Sequence, residues 1–127
     1  MNESDVEQTE KIVIIATHGP EDPEGASFPF LMGNAALAMD SHAIIVLQGA
    51  GVFLAKKGCY EHVFAAGFPP LKELVQSFVE LGGKIWVCIP CIEERKITKD
   101  MLLDGTELAK SGKVILEVLD ANATLNY

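Results

Sequence analysis

KIVIIATHGPEDPEGASFPFLMGNAALAM, Lys11–Met39, is the stretch from which the rest of the chain can be read. Its opening, KIVIIATH, is a short β-branched run that is apolar on both alternating faces. That pattern predicts a central strand covered on each side by helices, the usual state of a strand in a parallel sheet. GPEDPEG then breaks the run, because two prolines, two glycines and three carboxylates in seven residues cannot continue a strand. Asp22 or a neighbour is placed to begin a helix that Pro23 tolerates in its first turn. The segment that follows, Ala26–Met39, is apolar nearly all round, which predicts a helix buried on more than one side, in the core and against another subunit.

The same grammar repeats outward from this unit. HAIIVLQGAG predicts a strand at about Ala43 to Leu47 that ends in a glycine-containing turn, followed by a short helix in VFLAKKG. LKELVQSFVEL places Leu71, Leu74, Val75, Phe78 and Val79 at helical spacing, with Pro69 and Pro70 before it and Gly82-Gly83 after it. KIWVC, Lys84–Cys88, reads as a third strand and KVILEVL, Lys113–Leu119, as a fourth, with one or two helical turns in the TKDMLLDGTELAKSG segment between them. Strands alternating with helices predict an α/β domain with a mostly parallel sheet, since parallel neighbours need a crossover connection.

Composition limits what such a domain does. With 127 residues, of which 49% are hydrophobic, the chain fits one domain with a core that needs neither disulfides nor a structural metal. Ten Lys+Arg against eighteen Asp+Glu give a formal charge of −8, and Arg95 is the single arginine, so a nucleic-acid partner is not expected. MNESDVEQTE carries four acidic groups and reads as a solvated tail over Met1–Glu10 ahead of a single domain over 11–127. It lacks the basic start and apolar stretch of a secretory signal, and no run approaches the roughly twenty apolar residues that span a bilayer. A cytoplasmic protein without a membrane partner is the expectation.

In an open parallel sheet the loops leaving the carboxyl ends of the strands form the ligand crevice. Here those ends read Thr17-His18-Gly19-Pro20, Gln48-Gly49-Ala50-Gly51 and Cys88-Ile89-Pro90-Cys91, which brings two thiols and one imidazole to a single edge. Cys88 and Cys91 span the end of a strand and the start of a helix that Pro90 suits. Unpaired N–H groups there, with Arg95 and Lys96 one turn on, favour a thiolate, the nucleophilic form of cysteine. The plain alternative is that Cys88 packs in the sheet and Cys91 is an incidental helix residue. His18 is either a substrate or proton-transfer partner or a satisfied structural donor. Cys59 is either a second crevice thiol or a packed one, and His42 and His62 have no telling spacing. Glu21, Asp22 and Glu24 read as a solvated loop. GAG at Gly49–Gly51 begins like a dinucleotide loop, but position 54 is leucine where G-x-G-x-x-G needs glycine. One C-x-x-C supplies two of the four ligands of a structural zinc site, and metal would need Cys59, a histidine or another subunit. No cofactor and no metal are expected.

VCIPCIEERKI, from Val87 to Ile97, resembles the active-site segment of the DsrE/DsrF-like family, which includes YchN-like proteins and the Tus sulfur-relay subunits. KIVIIATHGPEDPEGASFPFLMGNAALAM resembles that family's opening strand, loop and buried helix, and the similarity extends over nearly the whole ordered chain. The resemblance implies a three-layer α/β/α fold with a mostly parallel sheet of four to five strands. It also implies homotrimers or homohexamers, and a cysteine that carries sulfane sulfur as a persulfide or thiosulfonate. Cys88 matches the carrier position, Cys91 the more variable second position, and Arg95 the basic residue further along the helix. Lys96 departs from the pattern, since many members have glycine there. TusA-like carriers, rhodanese-like donors and disulfide-reductase-like sulfur-oxidation enzymes are the partners so implied. The expected function is thus a sulfur carrier or sulfurtransferase; the alternatives are a non-catalytic oligomeric binding module and a C-x-x-C thiol/disulfide redox switch.

Overall fold

The computed structural model describes residues 9–127. The chain runs β1 (Lys11–Ala16), α1 (Pro23–Ala38), β2 (His42–Leu47), α2 (Leu71–Glu80), β3 (Lys84–Cys88), α3 (Ile89–Glu94), β4 (Glu107–Ala109), α4 (Ser111–Asp120) and β5 (Ala123–Asn126). Three 3-10 segments, Gly49–Ala55, Tyr60–His62 and Lys99–Met101, fill the connections. The five strands form one sheet in the order β4-β3-β2-β1-β5, and each neighbouring pair is parallel. Helices on both sides complete a three-layer α/β/α architecture, as expected. The acidic tail expected over Met1–Glu10 lies, up to residue 8, outside the described residues.

Two helix boundaries show local causes. The Asp22 carboxylate accepts the Gly25 N–H at 2.9 Å and caps α1, with Pro23 in the first turn where its missing N–H costs nothing. At the end of α2, Gly82 takes φ +95° and the Gly82 and Gly83 N–H groups return to the carbonyls of Val79 and Phe78. Gly83 is also forced by packing, because a Cβ there would lie 2.4 Å from the Phe78 ring.

The strands carry apolar residues on both faces, and the two faces are covered differently. Ile14, Ile45, Leu47, Ile85 and Val87 point toward α1 and α2, where Phe30, Leu71, Val75 and Phe78 are fully buried. Phe30 and Phe78 meet edge to face, 5.8 Å between centroids. Val13, Ile44, Val46 and Trp86 point the other way, toward α4, from which Val114 is buried and Val118 and Ala121 are partly so. Lys11 ties α4 down through Glu117 and, at 2.6 Å, Asp120.

Two expectations are corrected. Lys113–Leu119 is not a strand: it lies within α4, and the outer strands are the short β4 and β5 instead. The helix placed in VFLAKKG is a 3-10 segment that begins earlier, at Gly49, directly after β2. The TKDMLLDGTELAKSG segment supplies one 3-10 turn, at Lys99–Met101, within the one or two turns expected, and the short strand β4 follows it.

Candidate functional site

β1, β2 and β3 are adjacent and parallel, so their carboxyl ends emerge together, with the β2 loop between the other two. Close packing of backbone holds these loops. A Cβ on Gly51 would sit 2.3 Å from the Ala16 carbonyl oxygen, and one on Gly19 would sit 2.3 Å from that of Ala50. Gly51 of the GAG stretch therefore serves loop-on-loop contact.

β3 ends at Cys88, which is the N-cap residue of α3, and Pro90 lies in the first turn as expected. Cys88 and Cys91 are joined by a disulfide with their Cα atoms 5.3 Å apart. Both are half-buried at the edge of the larger core. The Cys88 side chain caps no N–H of α3. Cys91 differs, since its Sγ accepts the Gly49 N–H at 3.3 Å, and Gly49 holds φ +54° at the end of β2. A helix start was expected to favour a thiolate at Cys88; the hydrogen bond that favours negative charge on sulfur falls instead on Cys91.

Arg95 is brought to this pair: its Nη1 donates to the Cys91 carbonyl oxygen at 3.1 Å while the side chain stays exposed. Lys96, where glycine was expected from the family pattern, has φ +56°. Its N–H bonds Glu93 and that of Ile97 bonds Ile92, a Schellman closure with Ile92 and Ile97 both buried. A left-handed C′ position accounts for a glycine preference there.

His18 lies on the same edge but is engaged by its own loop. Its Nδ1 is 3.2 Å from Glu21 Oε2 and 3.8 Å from Asp22 Oδ2, and Glu21 Oε1 accepts the Gly19 N–H at 2.7 Å. Two of the three loop carboxylates thus hold the β1 loop and cap α1. β2 separates β1 from β3, so the strands that lead to His18 and to Cys88 run about 10 Å apart. Cys59 is a free, half-buried thiol ahead of the Tyr60–His62 turn. Gly49 is the site residue that sequence reasoning missed, because its contribution is a backbone N–H; its position directly after a strand at this edge was the available signal.

A cavity of about 350 Å³ lies at the opposite, amino-terminal end of the strands, bordered by Lys11, His42, Lys84, Trp86 and Glu117 on the α4 face. Among the described residues, no helix is long and apolar enough to cross a membrane.

Residues 10–127 match the model of the DsrE/DsrF-like family. An uncharacterised protein of Methanocaldococcus jannaschii is 36% identical over 104 residues, 82% of this chain, and the chain spans only 38% of that protein's length. A second uncharacterised protein of the same organism is 27% identical over 117 residues, covering 92% of this chain and 99% of its own. Among solved structures, the ychN protein from E. coli superposes with a TM-score of 0.79 at 18% identity, covering 94% of this chain and all (100%) of that one. A protein of unknown function from Methanobacterium thermoautotrophicum gives 0.67 at 14% identity, with coverage of 94% and 100%. At these identities the structural matches speak to the fold alone.

Proposed function

The chain belongs to the DsrE/DsrF-like family, and from that premise we propose that it is a sulfur carrier or sulfurtransferase of a sulfur relay, with Cys88 as the carrying atom. The observation that carries this reading is the pair of half-buried cysteines at the carboxyl end of β3, close enough to bond each other. In the reduced site the Cys88 thiolate attacks the sulfane sulfur of a donor; the donor's S–S bond breaks, its leaving group takes the electron pair, and Cys88 holds a persulfide. An acceptor thiolate then attacks the outer sulfur and Cys88 leaves as the thiolate. Cys91 supports the cycle as the thiol that closes on Cys88. Arg95 braces the α3 turn through the Cys91 carbonyl, and His18 takes a rim position in its carboxylate-held loop.

Donor and acceptor proteins, TusA-like or rhodanese-like in chemistry, dock at the edge formed by the β1, β2 and β3 loops. A homotrimer or homohexamer is part of the same reading. α4 supports it by leaving Ile115, Leu116 and Leu119 exposed together on its outer side. The observed disulfide favours one second reading, a C-x-x-C redox switch, in which Cys88 and Cys91 cycle between dithiol and disulfide with no sulfur gained.

Intact-mass analysis of reduced protein after polysulfide, thiosulfate and tetrathionate separates the two. The carrier gains sulfur-containing mass that Cys88→Ser abolishes, whereas the switch shows only a reversible two-hydrogen difference. Absence of any adduct with all three donors overturns the carrier reading.

A further inference from the structure

We propose that the Cys88–Cys91 disulfide is itself a loading state of this site, opened at one end only: hydrosulfide bonds to Sγ of Cys88 and Cys91 departs as the thiolate. The inference rests on the carrier reading and extends it by naming a sulfide-level substrate and the sulfur that leaves.

The two sulfurs of the disulfide are not equivalent. Cys91 Sγ accepts the Gly49 N–H at 3.3 Å, and Cys88 Sγ caps none of the α3 N–H groups. In thiol–disulfide exchange the incoming nucleophile goes preferentially to the sulfur whose partner is the better-stabilised leaving thiolate. A hydrogen bond to sulfur strengthens as charge develops on it, so the donor favours departure of Cys91 over departure of Cys88. The donor is also fixed before the reaction begins. The Gln48 N–H bonds the Ala16 carbonyl and the Gly51 N–H bonds the Gln48 carbonyl, both at 2.9 Å, and Gly51 is packed too tightly on Ala16 for any Cβ. Gly49 lies between these anchors in a left-handed conformation. A donor held in this way needs no reorganisation when charge appears. The exposed Arg95 guanidinium is anchored to the Cys91 residue through its carbonyl.

The step balances without an external oxidant. The lone pair of HS− forms the new bond to Cys88 Sγ, and the electron pair of the Cys88–Cys91 bond passes to Cys91 Sγ. Sulfide is oxidised by two electrons to sulfane level and the disulfide is reduced by two, so the products are a Cys88 persulfide and a Cys91 thiolate. One disulfide loads one sulfur. Gly49 acts as a positioning residue, through its backbone, for the sulfur that leaves.

The test treats oxidised full-length protein with sodium sulfide anaerobically, quenches in acid, alkylates, and maps the extra sulfur by peptide mass spectrometry. The extra sulfur is expected on Cys88 in about tenfold or greater excess, with Cys91 alkylated as a plain thiol, as a single charge-assisted hydrogen bond would give. Extra sulfur on Cys91 or spread evenly, or a disulfide that dithiothreitol opens and sulfide does not, overturns the inference. Thiol titration gives an independent readout: Cys91 in the Cys88→Ser protein should ionise at lower pH than Cys88 in the Cys91→Ser protein, and the reverse order overturns it too. Failure of the carrier reading is seen elsewhere, in reduced protein that takes no sulfur from polysulfide.

Discussion

The two faces of the sheet carry similar residues and are finished differently. On one, α1 and α2 press Phe30, Leu71, Val75 and Phe78 against the strands with no solvent access. On the other, a single ten-residue helix, α4, contributes one buried side chain, Val114, with Val118 and Ala121 only partly buried beside it. Trp86 is closed over by Lys113, 4.4 Å from its ring centroid, and its Nε1 donates to Glu107 at 2.8 Å. The first face holds the fold. The second is a lighter, ion-paired cover with a cavity at one end and exposed apolar side chains on its outer surface. The Cys88 and Cys91 sulfurs sit at the edge of the first face, where the Gly49 N–H reaches Cys91.

Truncation on each face measures that contrast directly. Phe78→Ala should lower unfolding free energy by about 3–5 kcal/mol in urea titration, since it removes a fully buried ring and leaves a cavity. Val114→Ala, losing two methyl groups under α4, should cost about 1–2 kcal/mol. Equal losses would mean that the faces contribute alike. Lys96→Gly relieves a left-handed residue that belongs to neither face, and a gain of about 1 kcal/mol is expected in the same titration.

The clasp on α4 has its own pH signature. Hydrogen bonding to Asp120 and Glu117 raises the Lys11 ammonium above its ordinary 10.5, and hydrogen bonding to Lys11 holds Asp120 below its ordinary 3.8. For the depressed carboxyl the contribution is present above 3.8 and disappears as pH falls through the folded value. For the raised ammonium it is present below 10.5 and disappears as pH rises through the folded value. Hydrogen exchange of α4 amides should therefore accelerate at both extremes relative to the α2 amides, and Lys11→Met should flatten that response. The smallest effect on stability is expected from Leu116→Asp, within about 0.5 kcal/mol for an exposed position, while sedimentation should show a smaller assembly. An unchanged assembly would remove α4 from the proposed subunit interface.

The same contrast explains what was legible in the sequence. β1, β2 and β3 are buried on both faces, so their β-branched runs stood out, and α2 carries its apolar stripe between proline and glycine punctuation. KVILEVL misled because α4 has apolar residues on two sides: Val114, Val118 and Ala121 toward the sheet, Ile115, Leu116 and Leu119 outward. That arrangement gives an unbroken apolar run, which periodicity alone cannot distinguish from a strand covered on both sides. β4 and β5 are edge strands of three and four residues with little burial, too short to carry a pattern. The cysteine edge followed from strand ends alone. The partner of Cys91 did not, because a backbone N–H has no letter in the sequence.

Peptide mapping of reduced protein after brief exposure to polysulfide is the most direct test of the role given to Cys88. One extra sulfur is expected on the peptide containing Cys88 in the wild-type protein and none after Cys88→Ser. Equal labelling of the two proteins, or no labelling of either, would contradict it.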